Sequence, residues 1–453
     1  MKYFLITFGC QMNKSDSERI AFTLENIGYK KALKKSEADL IIVNMCSVRQ
    51  SAVDRVYGLG KEFKKLKIQN PKLKSLLTGC VLKKDFEKFK KIFDFILPIK
   101  TLFKWKKILK EKKFYFWPNQ RGKKFLEEFE IKYFKIKPKF NQNFSAFIPI
   151  STGCNNFCSF CVVPFVRGPL ICRDFKEILK EVKEALKKGA KEIWLLGQNV
   201  NDYKFKLQNT KCKIKHQNSK FINFAKLLEM VNEIKGNFWI RFTSPHPKNF
   251  SEKLIESMAR SEKFAPYLNL PLQSGDDEIL RKMKRDYTSK EYQNLVKKIR
   301  LTFKKYRKGL EREVAISTDI IVGFPGERKK QFQKTVKLLK KIKFDMAYIA
   351  KYSPRPQTSA FKLKDNVSQK EKERRFKILT QILKKTALEK NKKFKGKIIE
   401  VLVQGKKGKF FLGKNRHYKT VKFKGEGNLI GSFQKVKIIN VFPFGLEGVL
   451  IEK

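Results

Sequence analysis

The sequence predicts an α/β chain in three parts: an N-terminal α/β domain built on a parallel sheet (residues 1–119), a central partial (βα)6 barrel (140–375) and a small C-terminal β-barrel (394–453). Three observations carry this prediction. Short apolar runs alternate with helical segments through the first hundred residues, the pattern of a parallel sheet. The alternation then resumes on a larger scale, with six strand-like runs between "FSAFIPIS" and "MAYIAKYS". Past a long charged helix it gives way to short alternating strands with glycine turns. A length of 453 residues agrees, being too great for one ordinary core.

Taken in order, "KYFLITFGC" is a first strand ending in Cys10. Its apolar run, Tyr3 to Phe8, falls short of the roughly 7–15 residues of a signal-peptide core, so a cytoplasmic protein is expected. "SERIAFTLENIG" reads as a helix closed by Gly28, and "ADLIIVNMC" as a buried strand ending in Cys46. A helix from about Val53 to Lys67 precedes a third strand, "KLKSLLTGC", ending in Cys80. Ligand sites in parallel sheets lie beyond the carboxyl ends of the strands, so the three thiols are expected to converge. Residues 120–142 are charged and aperiodic and read as a connector.

The six strands of the second part are "FSAFIPIS", "EIWLLGQ", "FWIRFTS", "YLNLPLQ", "AISTDIIVGF" and "MAYIAKYS". Helices such as Asp174–Lys188, stopped by Gly189, lie between them. Sites in such barrels sit at the strand C-terminal ends, and Cys154, Cys158 and Cys161 follow the first strand at that edge. Phe205 to Lys220 reads as a basic surface loop, and roughly Gln369 to Lys393 as the helix leading out.

Eight cysteines in a chain this long do not make a disulfide framework; clustered as they are, they point to metal or redox chemistry. The three histidines, His216, His246 and His417, disfavour histidine-rich zinc catalysis. The net charge of +60 points to a polyanionic partner, most simply nucleic acid, although an AT-rich coding bias toward lysine would raise the charge as well. No apolar run approaches the length of a membrane-spanning helix.

In "CNNFCSFC" three thiolates stand without a fourth. A [4Fe–4S] cubane normally takes four, so three leave one iron open, and an open position separates a catalytic metal centre from a structural one. A zinc knuckle borrowing a distant ligand is the alternative. The C-x-x-x-C-x-Φ-C pattern, with Phe160 before the last cysteine, resembles the radical S-adenosylmethionine (SAM) enzymes. "TFGCQMNKSDSE", "NMCSVR", "TGC", "STGCNNFCSFCVVPFVRG", "LLGQNVN", "LPLQSG", "DIIVGFPGE" and "YSPRPQTSA" then occur in the order of the methylthiotransferase family within that superfamily. "GCQMN", "CSVR" and "GQNVN" are most similar to its branch acting on prenylated adenosine in tRNA. The C-terminal barrel resembles a TRAM domain, an RNA-binding module.

The resemblance implies two [4Fe–4S] clusters, each with an open iron. Cys154, Cys158 and Cys161 would hold the one that binds SAM by its amino and carboxylate groups and cleaves it to a 5′-deoxyadenosyl radical. Cys10, Cys46 and Cys80 would hold the one that carries sulfur, methylated by a second SAM. The product would be a methylthio group on C2 of the adenosine beside the anticodon. The implied partners are a tRNA anticodon stem-loop, an electron donor and a sulfur source, with no membrane. Gly197, Gln198, Asn199, Gln273, Ser274, Ser317, Asp319 and Gly323 sit at strand ends and are the candidate SAM contacts; "GQN" stands where the superfamily usually has "GGE". Met45 and Asn269 replace a threonine and a histidine common in the family.

Other readings stay open at this stage. The same chemistry on threonylcarbamoyl-adenosine or on a ribosomal protein is one, and a non-catalytic RNA-binding zinc protein is another. Arg167 suits a carboxylate or phosphate partner. Cys172 and Cys212 match no motif and are expected to be free thiols, and His246 is expected to be structural.

Overall fold

Leu40–Cys46 is buried along its whole length, as a strand covered on both faces must be. In the computed structural model, which describes residues 1–48, 50–111, 114–115, 123–140, 144–207 and 220–451, this strand lies inside an all-parallel sheet. The strands are β1 (Lys2–Phe8), β2 (Lys30–Lys31), β3 (Leu40–Cys46), β4 (Lys74–Cys80), β5 (Phe95–Ile96) and β6 (Phe114–Tyr115), in the order β2-β1-β3-β4-β5-β6. The register pairs Cys46 with Cys80 directly.

Two expectations for this region need correction. The first helix runs Gln11–Asn26, starting six residues before "SERIAF", with Cys10 as its N-cap. Its first turns carry Asn13, Ser15 and Asp16, buried polar residues that hide the helical period because they meet polar groups, Asn13 on β3 and the other two in the next domain, rather than an apolar core. The stretch 120–142 is not a mere connector. It contains the helix Lys123–Phe134, whose Tyr133 and Phe134 pack into the first domain's core with Trp105 and Leu102.

The central strands are β7 (Ser145–Pro149), β8 (Glu192–Leu196), β9 (Trp239–Phe242), β10 (Tyr267–Asn269), β11 (Ala315–Val322) and β12 (Met346–Lys351). They pair in parallel as two three-stranded halves, β9-β8-β7 and β10-β11-β12, joined by the single bridge Ile240–Phe264. This is the partial barrel expected. Between it and its outer helices lies one continuous core, including Ile193, Ile240, Ile316 and helix residues Val182, Leu228 and Leu339. Cys212 and His216, from the expected basic loop, lie outside the described residues.

After the helix Gln369–Lys392, five strands close a barrel: β13 (Ile398–Lys407), β14 (Phe410–Asn415), β15 (Thr420–Lys424), β16 (Phe433–Phe442) and β17 (Gly445–Leu450), in the order β13-β14-β15-β17-β16. Alternate residues such as Val401, Val403, Phe411, Val421 and Phe423 fill it, as period-two strands require. Its Asn415–Lys419 turn plugs the central barrel where the strands begin. There Tyr418 packs on Tyr267 at a tilt (ring centroids 4.6 Å apart) and meets Trp194 edge-on (5.4 Å). The opposite, C-terminal end of the strands is left for the site. No described helix is long and apolar enough to cross a membrane.

Candidate active site

Three strand ends and one helix cap bring Cys10, Cys46 and Cys80 together. Gly79, at φ +95°, lets Cys80 lie beside Cys46; a Cβ there would stand 2.4 Å from Asn44 Oδ1 and from the Met45 carbonyl. Asn13 clamps the helix to β3: its Nδ2 donates to Asn44 Oδ1 (2.9 Å) and to the Met45 carbonyl (3.0 Å), and its Oδ1 accepts from Cys10 Sγ (3.5 Å). The asparagines of "GCQMN" and "VNMC" therefore position thiols. The Cys46 thiol interacts with both other cysteines. That interaction is the main cause that brings Cys10 down to about 6 and lowers Cys80, with Arg167 adding to both; Cys46 is raised. Two of the three thiols are thus biased toward the thiolate form that iron requires.

The second triad sits on a loop closed by a short ribbon pairing Ser151–Thr152 with Ile171–Cys172. Gly153, at φ +76°, makes the entry turn, where a Cβ would fall 2.0 Å from the Pro169 carbonyl. Gln198 Oε1 accepts from Gly153 N (2.6 Å) and holds the loop to the end of β8. Phe160 packs on Ile279, Met283, Phe324 and Tyr352. Burial raises Cys154 and pushes Cys161 up to about 12, so ligation there must displace protons.

Cys154, Cys158 and Cys161 open on a cavity of about 860 Å³. All three parts of the chain line it: Val48 from the turn after Cys46 with Gln50 and Ser51 from the start of the helix that follows, the strand ends of the central barrel, and Phe444 from the C-terminal barrel. Arg355 ties the first wall to the second, with NH1 donating to Gln50 Oε1 (2.6 Å) and NH2 to the Val48 carbonyl (3.2 Å).

Of the eight candidate SAM contacts, Gln198, Gln273 and Asp319 line this cavity. Gln273 has φ +68° and a buried side-chain oxygen with no hydrogen-bond partner, an acceptor aimed at something other than protein. Asp319 receives Asn269 Nδ2 (2.9 Å), so the asparagine that replaces a histidine in the motif orients it. The other five stand apart from the lining. Ser317 bonds Tyr267 and Asn269 inside the barrel, and Asn199 donates to Asp202. Gly197 packs on Ser151, and Gly323 against Lys372. Ser274 N closes a tight turn on Leu272 O.

Two arginines matter more than the sequence indicated. Arg285, in "KMKRDY", donates through NH1 to Cys158 Sγ (3.3 Å) and through Nε to Tyr287 Oη (3.1 Å). No spacing signal marked it. Arg167 takes a carboxylate partner, as its type suggested: NH2 lies 2.6 Å from Asp16 Oδ2. Its Nε also donates to Cys80 Sγ (3.1 Å), across the domain boundary. His246 lines the cavity as a neutral ring, its pKa pushed to about 3 by burial and by Arg285, with Nδ1 accepting from Lys248 N. Cys172 is a free thiol that accepts from Lys204 N (3.4 Å).

Among the described residues, no three His, Cys, Asp or Glu side chains close on a single metal ion. The donor sets are instead two groups of three thiols, which suit a cubane with one iron left open.

Residues 148–339 match the radical SAM superfamily, and residues 2–97 match an uncharacterized protein family, UPF0004. Among solved structures, the radical S-adenosylmethionine methyltransferase TsrM from Kitasatospora setae, with cobalamin and a [4Fe-4S] cluster bound, superposes with a TM-score of 0.52. At 12% identity, covering 79% of this chain and 77% of that one, this likeness shows the fold alone. Two curated relatives carry the name tRNA-2-methylthio-N(6)-dimethylallyladenosine synthase. The one from Clostridium novyi is 39% identical over 99% of this chain and 96% of its own length, and the one from Carboxydothermus hydrogenoformans is 38% identical over 99% of each. The full-length identity to these relatives decides the assignment: the chain belongs to the tRNA-2-methylthio-N(6)-dimethylallyladenosine synthase family.

Proposed function

We propose that this chain is a radical SAM methylthiotransferase that converts N6-isopentenyladenosine beside the tRNA anticodon to its 2-methylthio derivative, using two [4Fe–4S] clusters. The observation that carries the reading is one shared cavity: one cysteine triad faces it directly, and residues just past Cys46 of the other triad form part of its wall. When bound, the cluster on Cys154, Cys158 and Cys161 with SAM supplies the hydrogen-abstracting radical, and the one on Cys10, Cys46 and Cys80 supplies sulfur.

The chain's own side chains set the geometry. Gln273 offers its unpaired oxygen to a donor on SAM, and Asp319, held by Asn269, offers a second acceptor on the same wall. Gln198 fixes the cysteine loop, and Arg285 donates to Cys158. The apolar wall of Ile349, Phe376 and Leu383 suits a prenyl group.

The C-terminal barrel contributes RNA affinity in this reading. Lys406, Lys407 and Lys409 project from the exposed β13–β14 turn. Replacing all three with alanine is expected to weaken anticodon stem-loop binding. It should also reduce the slope of log K against log salt by about 2–3, one lost counterion contact per lysine. Equal slopes for the two proteins would remove the turn from the interface.

The substrate is tested with reconstituted protein and three stem-loops, carrying isopentenyladenosine, unmodified adenosine or threonylcarbamoyl-adenosine. Nucleoside mass spectrometry is expected to find the 2-methylthio product on the first alone. Product on either of the others instead would overturn the assignment.

A further inference from the structure

We propose that Arg167 is a positioning residue that locks the two cysteine triads in register and raises the reduction potential of the sulfur-supplying cluster through an N–H···S bond to Cys80; this rests on the two-cluster reading above. Arg167 ends the short helix Val163–Arg167, six residues past Cys161, so it travels with the radical-generating triad. Its guanidinium crosses to the other domain. There Nε meets Cys80 Sγ at 3.1 Å while NH2 meets Asp16 Oδ2 at 2.6 Å. Asp16 lies on the helix that Cys10 caps and is itself held by Tyr133 Oη. One side chain, carried just past Cys161, therefore touches Cys80 and the helix that Cys10 caps, two members of the other triad.

The pair Arg167–Asp16 is almost wholly buried, with side-chain exposures of 5% and 0%. A buried ion pair gains little stability over apolar residues of the same volume, so folding alone does not call for a guanidinium here. What apolar packing would not reproduce is the second edge of the fork. With one edge neutralised by Asp16, the other presents an N–H to sulfur without adding net charge. Hydrogen bonds to cluster sulfurs favour the reduced, more negative form and raise the potential. Arg285 makes the matching contact to Cys158 in the other triad. Each triad therefore receives one buried arginine donor, and Arg167 alone of the two arises from the opposite domain.

The test uses the full chain with Cys154, Cys158 and Cys161 replaced by alanine, which leaves only the Cys10, Cys46 and Cys80 triad. About four irons per chain are expected in this background. If it holds none, the two-cluster reading fails, and this is seen before Arg167 is altered. R167Q is then added, and the midpoint potential is followed by EPR during a redox titration. The expected result is retained iron and a shift to more negative potential, whereas a purely structural role would leave the midpoint in place. Should R167Q not fold, R167K keeps the charge against Asp16 while removing the planar fork, and it is read in the same way. Four irons with an unchanged midpoint would overturn the proposal.

Discussion

Cys158→Ala is expected to lose both 5′-deoxyadenosine release and methylthio product, while Cys10→Ala keeps SAM cleavage and makes no methylthio product. Alanine offers iron no donor atom, so each change removes one ligand of three and, with it, the site. The lesions are separable because the triads are built on different elements. Cys158 sits in the loop between β7 and its helix, held by Arg285, whereas Cys10 caps a helix clamped to β3 by Asn13 and Asn44. Wild-type protein reconstituted without oxygen is expected to hold about eight irons per chain, and each variant about four. Circular dichroism checks that folding survives. The reading fails if Cys10→Ala still methylthiolates prenylated stem-loop at the wild-type rate, or if Cys158→Ala still releases 5′-deoxyadenosine. A wild-type count near four would remove the second cluster.

What the chain discloses in one dimension follows from how local each signal is. Two apolar strands ending in cysteine, β3 and β4, could be read because burial on both faces forces continuous hydrophobic runs, whereas β1 stops at Phe8 and leaves Cys10 to cap the following helix. The loop cysteines could be read because their spacing is itself the chemistry. The helix start at Gln11 was hidden by Asn13, Ser15 and Asp16, which are buried against other polar groups instead of apolar ones. Ser15 Oγ, for example, donates to the Phe147 carbonyl 132 positions away. The contacts of Arg285, Arg355 and Arg167 span 127, 305 and 87 residues to Cys158, Gln50 and Cys80, and nothing in their own neighbourhoods encodes those partners. Strand-end position was also a poor guide to SAM contacts. It marked eight residues, of which three line the cavity.

Arg241→Met is expected to destabilise the docking of the C-terminal barrel by about 3–5 kcal/mol, the usual result of stranding one half of a buried ion pair. Arg241 is fully buried in β9, and its Nε donates to Glu192 Oε1 at 2.6 Å. NH1 and NH2 reach the carbonyls of Arg416 and Asn415, each at 2.9 Å, in the turn that plugs the central barrel. Aromatic rings of Trp194, Trp239, Tyr267 and Tyr418 surround the guanidinium within about 6 Å. Methionine fills much of that volume and supplies no donor, so Glu192 Oε1 and two carbonyls are left without this partner. Glu192 keeps Ser145 Oγ and Trp194 Nε1 only on its other oxygen. Pairing Arg241→Met with Glu192→Gln should recover part of the loss, because the stranded charge is then gone. Urea unfolding followed by tryptophan fluorescence measures both variants, and limited proteolysis between the helix Gln369–Lys392 and β13 reports undocking. If the barrel is what aligns RNA with the cavity, Arg241→Met should lower kcat/KM on stem-loop RNA while sparing SAM cleavage without RNA. An unfolding free energy within about 1 kcal/mol of wild type would show that the barrel is held by its apolar contacts, chiefly Trp239 on Phe433, and not by this arginine.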